Sequence, residues 1–174
     1  SYDFNTRFRT GEMPFAIAAY TMYGTLSAAA PEIRGQWEMT LVPGVLNEET
    51  GEIDRERAVN MLHHAIDGGV TYIDTAYPYH GGESETVVGE ALSGGWREKV
   101  TLTTKLPLWK VEKYEDMENI LDEQLAKLRT DHVDFYLLHA MRAETYRKMR
   151  DLGAYKFLDD MVKKGKIRYP GFSF

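Results

Sequence analysis

From Asp54 onward, hydrophobic and polar positions follow two periods in turn. Ala58, Met61, Leu62, Ala65 and Ile66 recur at helical spacing behind Asp54, a residue suited to cap a helix, and Gly68-Gly69 ends the pattern. Val70 to Asp74 is a β-branched and aromatic run that reads as a buried strand. The helical period returns from about Glu83 with Val87, Val88, Ala91 and Leu92, and stops at Gly94-Gly95. Val100 to Thr104 reads as a strand ending at Lys105, ahead of the breaker Pro107. Met117, Ile120, Leu121, Leu125 and Leu128 predict a helix over Glu115 to Arg129. Val133 to Leu138 is nearly all apolar, as a strand covered on both faces should be, and it ends in His139. Ala140 to Leu152 reads as a charged helical insertion. Phe157, Leu158, Met161 and Val162 mark a further helix closed by Gly165, and Ile167 to Phe172 a last strand.

The first 40 residues have no clean period. A helix from Pro14 to about Ala30 and a strand from Trp37 to Val42 are expected there, followed by a polar loop over 47–52. Arg7 and Arg9, the run from Met13 to Leu26 and Ala28-Ala29-Ala30 imitate a secretory signal, but Glu12, the polar residues inside the run and Pro31 argue against it. The start at Ser1 reads as processed or trimmed. Strict alternation of strand and helix predicts an α/β fold of parallel strands with right-handed crossovers. Five strands suit either a small doubly wound sheet or a little over half of a barrel. The 174 residues are short for a closed eight-stranded barrel, which takes about 250.

Charge and composition narrow the chemistry. The net charge of -6 argues against nucleic acid or an anionic membrane surface as partner. Without cysteine there is no disulfide, thiol catalysis or thiolate-bound metal.

Three successive strands end in reactive side chains: Asp74, Lys105 and His139, with Tyr79 five residues after Asp74. In parallel α/β folds such ends carry the functional loops, and strands about 4.8 Å apart bring all four into one pocket. A lysine ammonium beside a tyrosine favours the phenolate, an aspartate holds that ammonium, and a neutral histidine orients a carbonyl. The set suits protonation of a carbonyl oxygen as hydride reaches its carbon. Tyr77 competes with Tyr79 as the acid, and spacing favours Tyr79. His63 and His64 read as surface or packing residues, His80 and His132 as loop residues, and Glu83 and Glu85 as acids favouring the start of the following helix.

Tyr72-Ile73-Asp74-Thr75-Ala76 with Tyr79, Thr103-Thr104-Lys105, Leu137-Leu138-His139, and Gly165-Lys166-Ile167-Arg168 leading to Gly171-Phe172-Ser173 resemble the aldo-keto reductase family over Leu46 to Phe174. The wording from Tyr77 to Glu85 is nearest to a bacterial branch whose longer members carry an iron–sulfur cluster near the C-terminus, which a chain without cysteine cannot hold. The resemblance implies part of a TIM barrel: 1–40 as an atypical segment at an oligomer interface, and 41–174 as a partial (β/α) barrel of four to five strands. It makes Tyr79 the proton donor, Lys105 its modulator, Asp74 the partner of the lysine and His139 the orienting residue. It also implies NADPH as cofactor, with Ser173 at the nicotinamide carboxamide. Phe174 stands where many members have asparagine. Much of the cofactor-binding half has no counterpart in this chain, and an open half-barrel leaves two unpaired strand edges and an apolar surface, so a homo-oligomer acting on a small molecule is expected, with the cytoplasm as the default location. The alternatives are a cofactor-independent hydrolase, such as a glycosidase using Asp74 with Glu83 or Glu85, and a non-catalytic module.

Overall fold

The computed structural model describes residues 54–174, so the helix expected over Pro14 to Ala30, the strand over Trp37 to Val42 and the interface role of residues 1–40 lie outside the described residues. Asp54 Oδ1 accepts the Arg57 N–H at 3.0 Å and starts α1, Arg55–Asp67. The chain continues through β1 (Tyr72–Asp74), α2 (Ser84–Leu92), β2 (Thr101–Leu106), α3 (Tyr114–Leu128), β3 (Val133–Leu138), α4 (Ala143–Asp151), α5 (Ala154–Lys163) and β4 (Ile167–Phe172). The charged insertion is α4. No helix among the described residues is long and apolar enough to cross a membrane.

The four strands are all parallel and lie in the order β1-β2-β3-β4. A doubly wound sheet reverses its strand order at a switch point. This sheet advances in one direction only, so right-handed crossovers place every helix on the same face. That is the progression of a (β/α) barrel, and it decides between the two architectures the sequence allowed. α2 packs between α1 and α3, and α3 against α5. Under this layer lie Leu102, Leu106, Tyr136 and Leu138 from the strands and Leu121, Leu128, Phe157 and Met161 from the helices, all buried. Each such side chain contributes about 1.5–3 kcal/mol. The α2–α3 approach depends on Gly89, where an added Cβ would lie 2.2 Å from the Lys127 carbonyl oxygen.

The other face of the sheet is concave in barrel terms and carries a row of rings. Tyr72 and Phe135 lie 6.1 Å apart and Phe135 and Tyr169 5.2 Å. The register sets Asp74, Thr103, Phe135 and Tyr169 on one rung, and Lys105, Leu137 and Gly171 on the next rung of the same face. Two residues along a strand return to the same side. Asp74 and Lys105 therefore emerge together at the carboxyl end.

Two strands differ from their predicted bounds. β1 spans three residues rather than Val70 to Asp74, and only Ile73 in it is buried. The end of α1 takes the missing donors: Gly69 N–H bonds the Ile66 carbonyl and Val70 N–H the Ala65 carbonyl, each at 3.0 Å. β2 runs past Lys105 to Leu106, because β3 stays paired that far, Leu106 against Leu138. Lys105 is thus the penultimate residue of its strand.

Candidate active site

Asp74 closes β1, and the chain then turns through Thr75 and Ala76, both fully buried. Lys105 reaches across from β2. It is 5% exposed, and burying an ammonium is costly unless it is paired. Its Nζ donates to Asp74 Oδ1 at 2.5 Å and to the Thr75 carbonyl at 2.9 Å.

Tyr79 opens a short 3-10 turn, Tyr79–Gly82, in which His80, Gly81 and Gly82 all have positive φ. Glycine takes that backbone freely, and histidine is among the few other types found in it. The turn delivers Tyr79 over the lysine, with Nζ 4.9 Å from the ring centroid. The ammonium faces the ring rather than the hydroxyl, and the Tyr79 hydroxyl makes no hydrogen bond to another described residue.

His139 follows β3, and its N–H bonds the Leu106 carbonyl at 3.1 Å, extending the ladder by one residue. Its ring meets Tyr79 edge-on, 6.0 Å between centroids at 83°. Burial first, and then the Lys105 ammonium, push its pKa below the ordinary 6.5 against a smaller opposing pull from Asp74. The imidazole is therefore neutral at neutral pH. Its Nδ1 is buried without a partner among the described residues.

Ser173 follows β4. Its hydroxyl accepts the Ala140 N–H at 2.9 Å, and its carbonyl accepts the Met141 N–H at 2.6 Å. This pins the loop after His139, where Ala140 has φ 51°. The Ser173 hydroxyl proton is free to donate.

Asp74, Tyr79, Lys105 and His139 thus share one end of the sheet, and Ser173 borders it. Tyr77 does not join them. Its hydroxyl donates to Glu123 at 3.1 Å and accepts from Lys110 at 2.5 Å, and its ring lies between Lys110 and Lys127.

The acidic residues after the turn sit where the sequence placed them, Glu83 as the N-cap residue of α2 and Glu85 in its first turn, and each also has a partner beyond the helix. Glu85 is fully buried against Thr104 and Gln124, and Glu83 pairs with Arg55. Neither faces Asp74 as the hydrolase alternative requires. His63 packs instead of reacting, stacked on Trp96 at 3.9 Å.

Sequence reasoning missed Trp109, whose ring lies 5.6 Å from His139 and is more than half exposed. It sits in a short turn after β2, where an aromatic two residues beyond Pro107 was the available signal. It also missed Gln124, a lone amide on the apolar stripe of α3 between Leu121 and Leu125.

The Aldo/keto reductase family profile matches residues 41–174. The chain is 36% identical over 119 residues to methylglyoxal reductase YeaE of Escherichia coli strain K12, an alignment covering 68% of this chain and 39% of that protein. It is 30% identical over 160 residues to 6-dehydroglucose reductase of Novosphingobium aromaticivorans, covering 84% and 48%. Among solved structures, an aldo-keto reductase from Klebsiella pneumoniae in complex with NADPH matches with TM-score 0.56 at 36% identity, over 69% of this chain and 40% of that one. The holo form of an aldo-keto reductase from Bacillus halodurans matches with TM-score 0.60 at 26% identity, over 69% and 42%. The chain thus spans about half or less of the length of these relatives. A profile match over most of the chain, on the strand progression and site geometry above, means that the chain belongs to the aldo/keto reductase family.

Proposed function

We propose that this protein reduces the carbonyl of a small molecule with NADPH, Tyr79 giving the proton to the carbonyl oxygen. The observation that carries the reading is the buried Lys105 ammonium, held by Asp74 under the Tyr79 ring and beside a neutral His139. A lysine in that place keeps positive charge next to the group that must lose a proton. Asp74 and the Thr75 carbonyl aim the lysine. The neutral imidazole of His139 holds the carbonyl oxygen without competing as an acid.

The residues present fit the nicotinamide end of the cofactor. Asp74 is 41% exposed beside its bond to the lysine, so its carboxylate can accept a further hydrogen bond. Ser173 retains a hydroxyl proton for a carboxamide. When bound, NADPH supplies the hydride. Trp109 and Tyr79 flank His139 and give the site an aromatic rim. Methylglyoxal and an oxidised sugar, the substrates in the names of the two relatives, are the first compounds to try.

The reading extends to a homo-oligomer. Tyr72 and Tyr169 on the concave face are about half exposed, an apolar surface that a second copy would cover. Calorimetric titration of the full chain with NADPH tests the proposal. Micromolar binding, with cofactor oxidation on adding methylglyoxal that is lost in Tyr79→Phe, is expected. No heat at millimolar NADPH overturns it.

A further inference from the structure

Behind the reacting end of the sheet, on its helix-covered face, lies a closed set of polar side chains that the proposed reaction does not use. Gln124 on α3, Glu85 on α2, and Thr104 and Tyr136 on the strands are all fully buried. Gln124 Nε2 donates to Glu85 Oε1 at 2.6 Å, to the Lys105 carbonyl at 3.0 Å and to Thr104 Oγ1 at 3.2 Å. Its Oε1 accepts from the Tyr136 hydroxyl at 2.7 Å, and the Thr104 hydroxyl donates to Glu85 Oε1 at 2.6 Å. Glu85 Oε2 has no partner among the described residues, and burial pushes this carboxyl above its ordinary range. Apolar residues of similar volume would pack here without an unpartnered oxygen. The set therefore needs a reason other than stability.

The strand ladder supplies one. Successive carbonyls of a strand alternate sides, so those of Thr103 and Lys105 both point toward β1. The Thr103 carbonyl is met by the Thr75 N–H at 2.9 Å. β1 has ended by then, at Asp74, and no strand residue reaches the Lys105 carbonyl. The Gln124 amide stands in for the missing strand, and Glu85 and Tyr136 hold that amide from both ends.

The first turn of α2 also reaches the other end of the lysine. Ser84 Oγ and Thr75 Oγ1 are hydrogen-bonded at 2.8 Å, and the Thr75 carbonyl takes Lys105 Nζ at 2.9 Å. Ser84 and Glu85 are consecutive residues. One secures the acceptor of the ammonium, and the other secures the backbone from which the lysine grows.

We infer that Glu85 and Gln124 are positioning residues: they fix the Thr104–Lys105 backbone where β1 has left the sheet, and so keep the Lys105 ammonium against Asp74 and under Tyr79. The placement stands on geometry alone, while its effect on catalysis rests on the reductase reading.

The test is a proton–nitrogen correlation spectrum of the ammonium groups in the full chain labelled with ¹⁵N-lysine. A buried, hydrogen-bonded ammonium exchanges slowly enough to give a cross-peak, and Lys105→Met assigns it. Glu85→Gln keeps the Oε1 acceptor and is expected to retain the peak. Glu85→Met and Gln124→Met are expected to shift or lose it, and to lower kcat roughly 10- to 100-fold with a much smaller change in KM for NADPH. Thr104→Val removes one hydroxyl at nearly constant volume, and is read in the same way should the methionine variants unfold. An unchanged Lys105 peak in a folded Gln124→Met or Thr104→Val protein, or no such peak in the parent protein, overturns the inference. Absence of carbonyl reduction in the parent protein overturns the reductase reading instead, and the ammonium comparison still decides this one.

Discussion

At the amino end of the sheet, Asp134 is 6% exposed and tied through both oxygens: Oδ2 takes Arg97 Nη2 at 2.8 Å and the Leu102 N–H at 2.9 Å, and Oδ1 lies 3.5 Å from Arg168 Nη1, while the Arg97 Nε beside it is buried without a partner among the described residues. Burial alone would raise its pKa, but the Leu102 N–H and the Arg97 guanidinium hold it below the ordinary 3.8. At the carboxyl end, Asp74 meets Lys105 through one oxygen, the Tyr79 hydroxyl has no partner among the described residues, and His139 Nδ1 is orphaned. Parallel α/β folds keep stability at the amino end and chemistry at the carboxyl end. The two carboxylates differ in how they are used: Asp134 engages both oxygens with other residues, and Asp74 only one. A carboxylate tied through both oxygens holds strands together, whereas one with an oxygen to spare can offer it to a ligand.

The largest effects separate the two ends. Tyr79→Phe should lower carbonyl reduction by about 10²–10⁴-fold and move unfolding free energy by less than about 0.5 kcal/mol. Asp134→Ala should do the reverse, losing about 3 kcal/mol in urea unfolding because the mostly buried Arg97 guanidinium loses its carboxylate and keeps only the Val100 and His132 carbonyls, with the NADPH dissociation constant unchanged. If stability instead follows Tyr79, or cofactor binding follows Asp134, the division fails.

Gly89→Ala drives a methyl group into the Lys127 carbonyl and should cost about 1–3 kcal/mol, read as a lower melting temperature. An unchanged melting temperature would mean that α2 and α3 can separate freely.

Acid should reach the two ends in different windows. His139 has a lowered folded pKa, so the unfolded chain binds more protons just below 6.5. Stability therefore falls as pH drops through 6.5 toward the folded value, and His139→Asn should abolish this limb. The contribution of Asp134 is complete above 3.8 and is lost only as pH falls through its lowered folded value, a limb that Asp134→Asn should remove. Unfolding free energy measured against pH in the two variants sharpens the comparison. The smallest effect belongs to Lys99→Ala: its 3.4 Å pair with Asp67 is at least half exposed on both sides, and unfolding should change by less than about 0.5 kcal/mol.

The helix and strand order over residues 54–174 was legible because each element covers one face or both, and coverage writes its period into the chain. The ends of that reading were less accurate. Val70 has a strand-forming side chain, but its N–H belongs to the cap of α1. The positions of the proposed site residues were legible, since Asp74, Lys105 and His139 sit at or next to the ends of three successive strands. The preference for Tyr79 over Tyr77 rests on spacing, and the pairing of Tyr77 with Lys110 and Glu123, away from Lys105, was not legible in the sequence.

Composition and periodicity by themselves determined a parallel α/β chain with an acid, a tyrosine, a lysine and a histidine near one end of its strands. They did not determine whether the strands advance in one direction or reverse, because a crossover has the same local pattern in both. Nor did they show that Glu85 and Gln124 are buried together behind Lys105. These two lie 39 residues apart on separate helices. A hydrophobic period reports that a face is covered, whereas the partner covering it is set by the register and docking of distant segments, which only the tertiary structure decides.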